Sequence, residues 1–173
     1  MQPFDQEFAQ LSPKDTWLLE KIEGYLQLGM TGKCQQLLGD CSPALRKLGI
    51  YKALEAELAS REERWSDTAT ISQQLVEAYP DQLGFRIQWA YATRRCEGIE
   101  AAEKILTDAL DQFSDEAILH YNLGCYACMQ DQLELAKKLL TEAFKLDAHY
   151  LELALEDEDL EQLRDFVEAA QKE

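Results

Sequence analysis

Apolar residues return at spacings of three and four along much of the chain, the period of an amphipathic helix with one buried stripe. The stripe is plainest over residues 99–113, where Ile99, Ala102, Leu106, Ala109 and Phe113 share a face. Residues 15–28 (DTWLLEKIEGYLQL) predict an N-terminal helix, and 31–38 a shorter one packing back on it. Ser12-Pro13 and Ser42-Pro43 each set a capping hydroxyl before a proline suited to a first helical turn. Leu45, Leu48, Tyr51, Leu54 and Leu58 carry helical spacing over about 43–61, and 65–80 predicts the next helix. Cys96-Glu97-Gly98 and Met129-Gln130-Asp131 read as tight turns, with Asp131 and Glu134 as a capping box for a helix over 132–146. Beyond residue 150, segments 151–155 and 160–170 predict closing helices around the acidic break 156–159. Their stripe of Leu160, Leu163, Phe166 and Val167 is placed to cover an exposed apolar end. The three tryptophans, Trp17, Trp65 and Trp89, lie on apolar stripes and are expected in the core.

Two adjacent segments repeat without gaps at a period of 34 residues, Leu83 to Glu116 and Ala117 to Tyr150. Trp89 falls on Leu123, Ala90 on Gly124, Ala102 on Ala136, Leu106 on Leu140, and Ala109 on Ala143. Large residues recur where two helices must fill a core, and small ones where they must approach closely. A repeat of this length built from two amphipathic helices belongs to helical solenoids.

These positions resemble the tetratricopeptide repeat family in order and spacing. Residues 65–80 look like the second helix of an earlier, degenerate repeat over about 43–82, with Pro80 at the closing proline position. The chain departs from the family at Ser114 and Ala148, which replace that proline, and at Asp131, which replaces the usual inter-helix glycine. The resemblance implies an all-α fold, a right-handed superhelix of about three helix hairpins forming a single domain. An N-terminal helical cap over 13–40 and a C-terminal cap over 151–171 would close it.

Charge narrows the partners. The chain has 173 residues and a formal net charge of −16, which disfavours nucleic acid and anionic membrane surfaces. Residues 147–173 hold ten acids against Arg164 and Lys172, about half of that net charge. This reads either as a solvated helix face or as a contact for a basic partner. No run approaches the roughly 20 apolar residues of a membrane helix, and the N-terminal ten residues carry acids and no apolar run. Five cysteines, an odd number, suit a reducing compartment, so a cytoplasmic location is expected.

In tetratricopeptide proteins the first helices of successive repeats line a concave groove that takes short extended peptides. The resemblance places Ile87, Tyr91, Arg94 and Arg95 in that groove from one repeat, and Tyr121, Cys125, Cys128 and Met129 from the next. Tyrosines, a methionine and arginines on one face make an amphipathic surface suited to a protein or peptide partner. The same residues would equally serve to pack against a terminal helix of this chain. The lysine and asparagine set that clamps a terminal carboxylate in chaperone-binding relatives is not present, Asn122 being the only asparagine.

Cys125 and Cys128 form a C-x-x-C, but in mid-helix rather than at a helix N-terminus that would lower a thiol pKa. They are expected to be packing residues, as are His120 and His149, with a thiol or metal site as the remote alternative. Phosphate-loop, H-E-x-x-H and G-x-S-x-G patterns do not occur. The expectation is a protein-interaction module with no catalytic residue, cofactor or metal, or alternatively a self-assembling homo-oligomer.

Overall fold

The computed structural model describes Glu7 and residues 11–171, and all regular structure among them is helical. The helices are α1 (Pro13–Gln27), α2 (Thr31–Asp40), α3 (Gly49–Arg61), α4 (Trp65–Ala78), α5 (Leu83–Cys96), α6 (Ile99–Leu110), α7 (Ala117–Met129), α8 (Leu133–Leu146), α9 (His149–Ala154) and α10 (Arg164–Ala170). Short 3₁₀ turns occupy Leu45–Lys47 and Glu158–Leu163. The helices group into two compact units, Met1–Gly98 and Ile99–Glu173.

In the first unit, α1 packs on α2, α3 on α4, and α4 on α5. Ser12 caps α1 as expected: its Oγ accepts the Asp15 amide at 3.1 Å, with Pro13 in the first turn. Leu19, Ile22, Leu26, Cys34, Leu38, Leu45, Tyr51, Leu54 and Leu58 form one apolar cluster. Trp17 corrects the sequence reading. It sits on the outer side of α1 and is 55% exposed, because Leu19, Ile22 and Leu26 are the residues that turn inward. Trp65 and Trp89 are partly buried.

The helix expected from residue 43 starts later. Ser42 Oγ does accept the Leu45 amide at 3.1 Å, but Leu45 opens a 3₁₀ turn whose N-cap position is Ala44. The Arg46 guanidinium then folds back onto the carbonyls of Cys41 and Gly39, and Leu48 turns extended (ψ 148°) before α3 begins. Leu48 offers α3 no capping side chain, and its first turn holds no acid. The cap arrives from far away in sequence: Glu7 Oε2 accepts the Ile50 amide at 3.3 Å, and Glu7 Oε1 accepts the Tyr79 hydroxyl at 2.5 Å.

Tyr79 follows from this environment. Burial, and next its bond to Glu7, push its phenol up to about 12. A phenol whose folded pKa exceeds its unfolded value near 10 contributes stability that is whole below pH 10 and is lost as pH rises toward 12. Two pH units correspond to at most about 2.7 kcal/mol. Urea unfolding measured from pH 8 to 12 is expected to show this loss, and Tyr79→Phe to remove part of it. An unchanged pH slope in the variant would contradict the assignment.

In the second unit, α6 packs on α7 and α7 packs closely on α8. The repeat positions explain the closeness. Ala136, Leu140 and Ala143 are fully buried, and a Cβ on Gly124 would lie 2.9 Å from Leu140 Cγ. Asp131 takes a left-handed conformation (φ 59°), the turn geometry that makes glycine common there and that aspartate tolerates. The capping box is corrected: Gln132 is the N-cap of α8 with no side-chain bond, while Asp131 accepts from Gln162 and Glu134 pairs with Lys137. In the closing segment the expected helix over 160–170 is a 3₁₀ turn followed by α10, and Leu160, Leu163 and Val167 are buried with Tyr121, Cys125, Cys128 and Leu140 in one cluster. Arg164 secures it by donating to the carbonyls of Ala154, Leu155 and Asp157.

Candidate functional site

The eight residues assigned to the groove fall four on each unit. On the first unit, α5 carries Ile87, Tyr91, Arg94 and Arg95. Tyr91 is 45% exposed and stands edge-on to Trp65, with ring centroids 5.6 Å apart and planes at 76°. The Arg95 guanidinium carbon lies 5.0 Å from the centre of the same indole. Ile87 and Arg94 are half-buried on the same helix. Trp65 is therefore the centre of this cluster, although its apolar stripe position predicts a core residue. It opens α4 while Tyr91 and Arg95 close α5, so packing of the two helices brings the three together. Edge-to-face aromatic geometry and a cation over an indole are each worth roughly 0.5–1.5 kcal/mol. The arrangement is a preordered surface with one exposed cation and two aromatic faces.

On the second unit the picture differs. Tyr121, Cys125 and Cys128 are buried, and of the α7 set Met129 alone is open, at 43% exposure. Their side of α7 is covered by the chain's own closing segment, so it is part of the core rather than an open partner surface. Polar chemistry joins the cover to α7 as well as apolar packing. The Tyr121 hydroxyl donates to Asp157 Oδ2 at 2.6 Å, and the Cys125 thiol donates to the same oxygen at 3.6 Å. Asp157 Oδ1 meanwhile accepts the Asp159 amide at 2.9 Å and caps the 3₁₀ turn. The Tyr150 ring lies against Tyr121 at a tilt of 39°, with centroids 4.9 Å apart. Outside this cluster a cavity of about 470 Å³ is lined by Tyr121, His149, Glu152, Leu153, Glu156 and Asp157.

Burial, and then the charge of Asp157, drive the Cys125 thiol strongly upward, and burial followed by Asp159 and Asp131 raises Cys128. A reactive thiolate needs the opposite environment. Among the described residues no three His, Cys, Asp or Glu side chains group as metal ligands. His120 is partly buried with Nε2 2.7 Å from the Ser114 carbonyl, and His149 is exposed beside Glu152. Asn122 donates to the Ile118 carbonyl within its own helix. No helix among the described residues is long and apolar enough to cross a membrane.

Compared with known proteins, the chain matches no protein-family model and no curated protein.

Proposed function

We propose that this chain is a non-enzymatic protein-interaction module of tetratricopeptide type, an adaptor or chaperone-like scaffold working in a reducing, cytoplasmic setting. The observation that carries the reading is the Trp65–Tyr91–Arg95 cluster, an aromatic and cationic surface held outward in a chain of net charge −16. Rigid aromatics beside arginine are the residue types that anchor partner segments at low entropic cost. The partner segment it suits bears an apolar anchor next to a carboxylate, with Ile87 and Arg94 flanking the contact. The internal repeat supports the same reading, since its small and large residues meet in α7 and α8 as in a repeat hairpin.

The test is quantitative crosslinking and mass spectrometry from native extract, with the wild type beside a Tyr91→Ala, Arg95→Ala variant shown by circular dichroism to be folded. The expected result is one protein enriched by the wild type and depleted at least ten-fold by the variant, about 1.4 kcal/mol or more. Equal recovery by both would end the proposal for this surface.

A second reading, homo-oligomerisation, is favoured by a different observation. Trp17 on α1 and Leu28 at its C-terminal end are 55% and 73% exposed, and they flank a depression of about 400 Å³. Light scattering of the wild type and of Trp17→Ala, Leu28→Ala separates the readings. A dimer dissociated by those changes supports it, and a monomer at every concentration rejects it.

A further inference from the structure

One side of α1 leaves apolar surface and cations in solvent together. Trp17, Lys21, Gly24 and Leu28 follow one another at three and four residues and so share that side. The Lys21 ammonium lies 4.2 Å from the centre of the exposed Trp17 indole, and the Lys33 ammonium of α2 lies 5.1 Å from the centre of the Tyr25 ring. The chain has 33 acids for 17 bases, yet neither lysine forms an ion pair among the described residues. Of the residues lining the depression between Trp17 and Leu28, Glu20 alone is acidic. The second unit carries the opposite pattern at α9. The cavity of about 470 Å³ described above has three carboxylates, Glu152, Glu156 and Asp157, and no lysine or arginine in its lining. Its volume is that of a cleft able to take a large side chain, and Leu153 in its wall is 44% exposed. Asp157 is engaged with Tyr121 and Cys125. Glu152 meets only the exposed His149, at 3.7 Å, and the exposed Glu156 has no ion pair among the described residues.

We infer that these are the two halves of one contact: the Trp17–Leu28 face of one copy docks at the Leu153 cavity of a second copy, with Lys21 and Lys33 set against Glu152 and Glu156. The inference rests on the reading of this chain as a homo-oligomer, and it names the surfaces that meet. Every copy carries the same net charge of −16, so two copies repel unless cations of one oppose acids of the other. Face against face brings Lys21 and Lys33 onto themselves, and cavity against cavity brings acids onto acids. The unlike pairing alone joins free cations to free carboxylates. Burial of the indole and of Leu28 supplies the attraction, and the charges select the pairing. Because the contact joins two different surfaces, a copy damaged in one half still offers the other.

A mixing experiment with the full chain tests this. One variant, Trp17→Ala, Leu28→Ala, empties the face, and another, Glu152→Lys, Glu156→Lys, reverses the charge of the cavity. All four positions are exposed, and circular dichroism checks that both chains fold. Light scattering over a concentration series is expected to show the wild type associating and each variant alone weakened at least ten-fold. An equimolar mixture of the two variants should recover a dimer, since the intact cavity of the first receives the intact face of the second. The damaged halves left over both carry lysines and repel. Leu153→Ala is a second cavity variant that keeps the charges, and it is expected to associate poorly alone and to be rescued in the same mixture. A wild type that associates while the mixtures stay monomeric would overturn this inference and leave homo-oligomerisation standing. So would cavity variants that associate as the wild type does. A wild type that is monomeric at every concentration would overturn both.

Discussion

Leu140→Ala is expected to cost the second unit about 2–5 kcal/mol, the range for emptying a fully buried leucine site. Leu140 has no exposed surface and lies in the cluster that joins α7, α8 and the closing segment. Gly124→Ala should cost less, about 1–3 kcal/mol, because its new methyl would meet Leu140 at 2.9 Å from Cγ and force it aside. The informative result is the double variant. Removing the Leu140 side chain opens the space that the methyl introduced by Gly124→Ala needs, so the two costs should fall short of additivity by at least about 1 kcal/mol. Urea unfolding of the four proteins measures this directly. Additive costs would mean that the two helices do not meet at this pair.

That pair is legible in the sequence because the repeat is a packing pattern. Gly124 and Leu140 stand out by their recurrence, as Ala90 and Leu106, 34 residues earlier. Helix positions are equally legible wherever a stripe, a cap and a turn agree, as at Ser12-Pro13 and α1. The reading fails where long-range contacts decide. Nothing local marks Glu7 as the cap of α3, since capping motifs are read over three or four residues and this one spans 43. The expected helix from residue 43 gives way at Leu48, where the Arg46 clasp and the extended Leu48 backbone compete with helical spacing.

The candidate site divides along the same line. Tyr91 and Arg95 follow from their place in the repeat and are exposed, whereas spacing alone assigns Trp65, which lies between them, to the core. A stripe position says which face of a helix a residue occupies, not how completely that face is covered. Tyr121, Cys125 and Cys128 show the converse. Their spacing marks one face of α7, and that face is filled by residues from 154–167 whose own stripe is visible in Leu160, Leu163 and Val167. Both stripes are readable, and each fits a partner in principle. What spacing does not reveal is Asp157, one acid among the ten of residues 147–173, and the group that joins the two.

Asp157→Ala is accordingly expected to destabilise the second unit by about 2–4 kcal/mol, since it removes the charged acceptor of a buried phenol and a capping bond together. The lost contacts are those from the Tyr121 hydroxyl, the Cys125 thiol and the Asp159 amide. Tyr121→Phe removes only the first and should cost less, about 1–3 kcal/mol. With both changes present the total should be smaller than the sum, because the phenol bond is lost only once. Thiol chemistry supplies a local readout that global unfolding does not. In the wild type Cys96 is exposed and the other four cysteines are buried, so a disulfide reagent should react quickly with one thiol and slowly with the rest. Asp157 raises the Cys125 thiol by its charge as well as by holding the cover in place. Its removal therefore acts on Cys125 in one direction twice, freeing access and favouring the thiolate. Cys125 is expected to react at least ten-fold faster in Asp157→Ala, with Cys34 and Cys41 in the first unit unchanged. Unchanged kinetics at Cys125 would mean that apolar packing alone holds the closing segment on α7, and that the carboxylate contributes nothing to it.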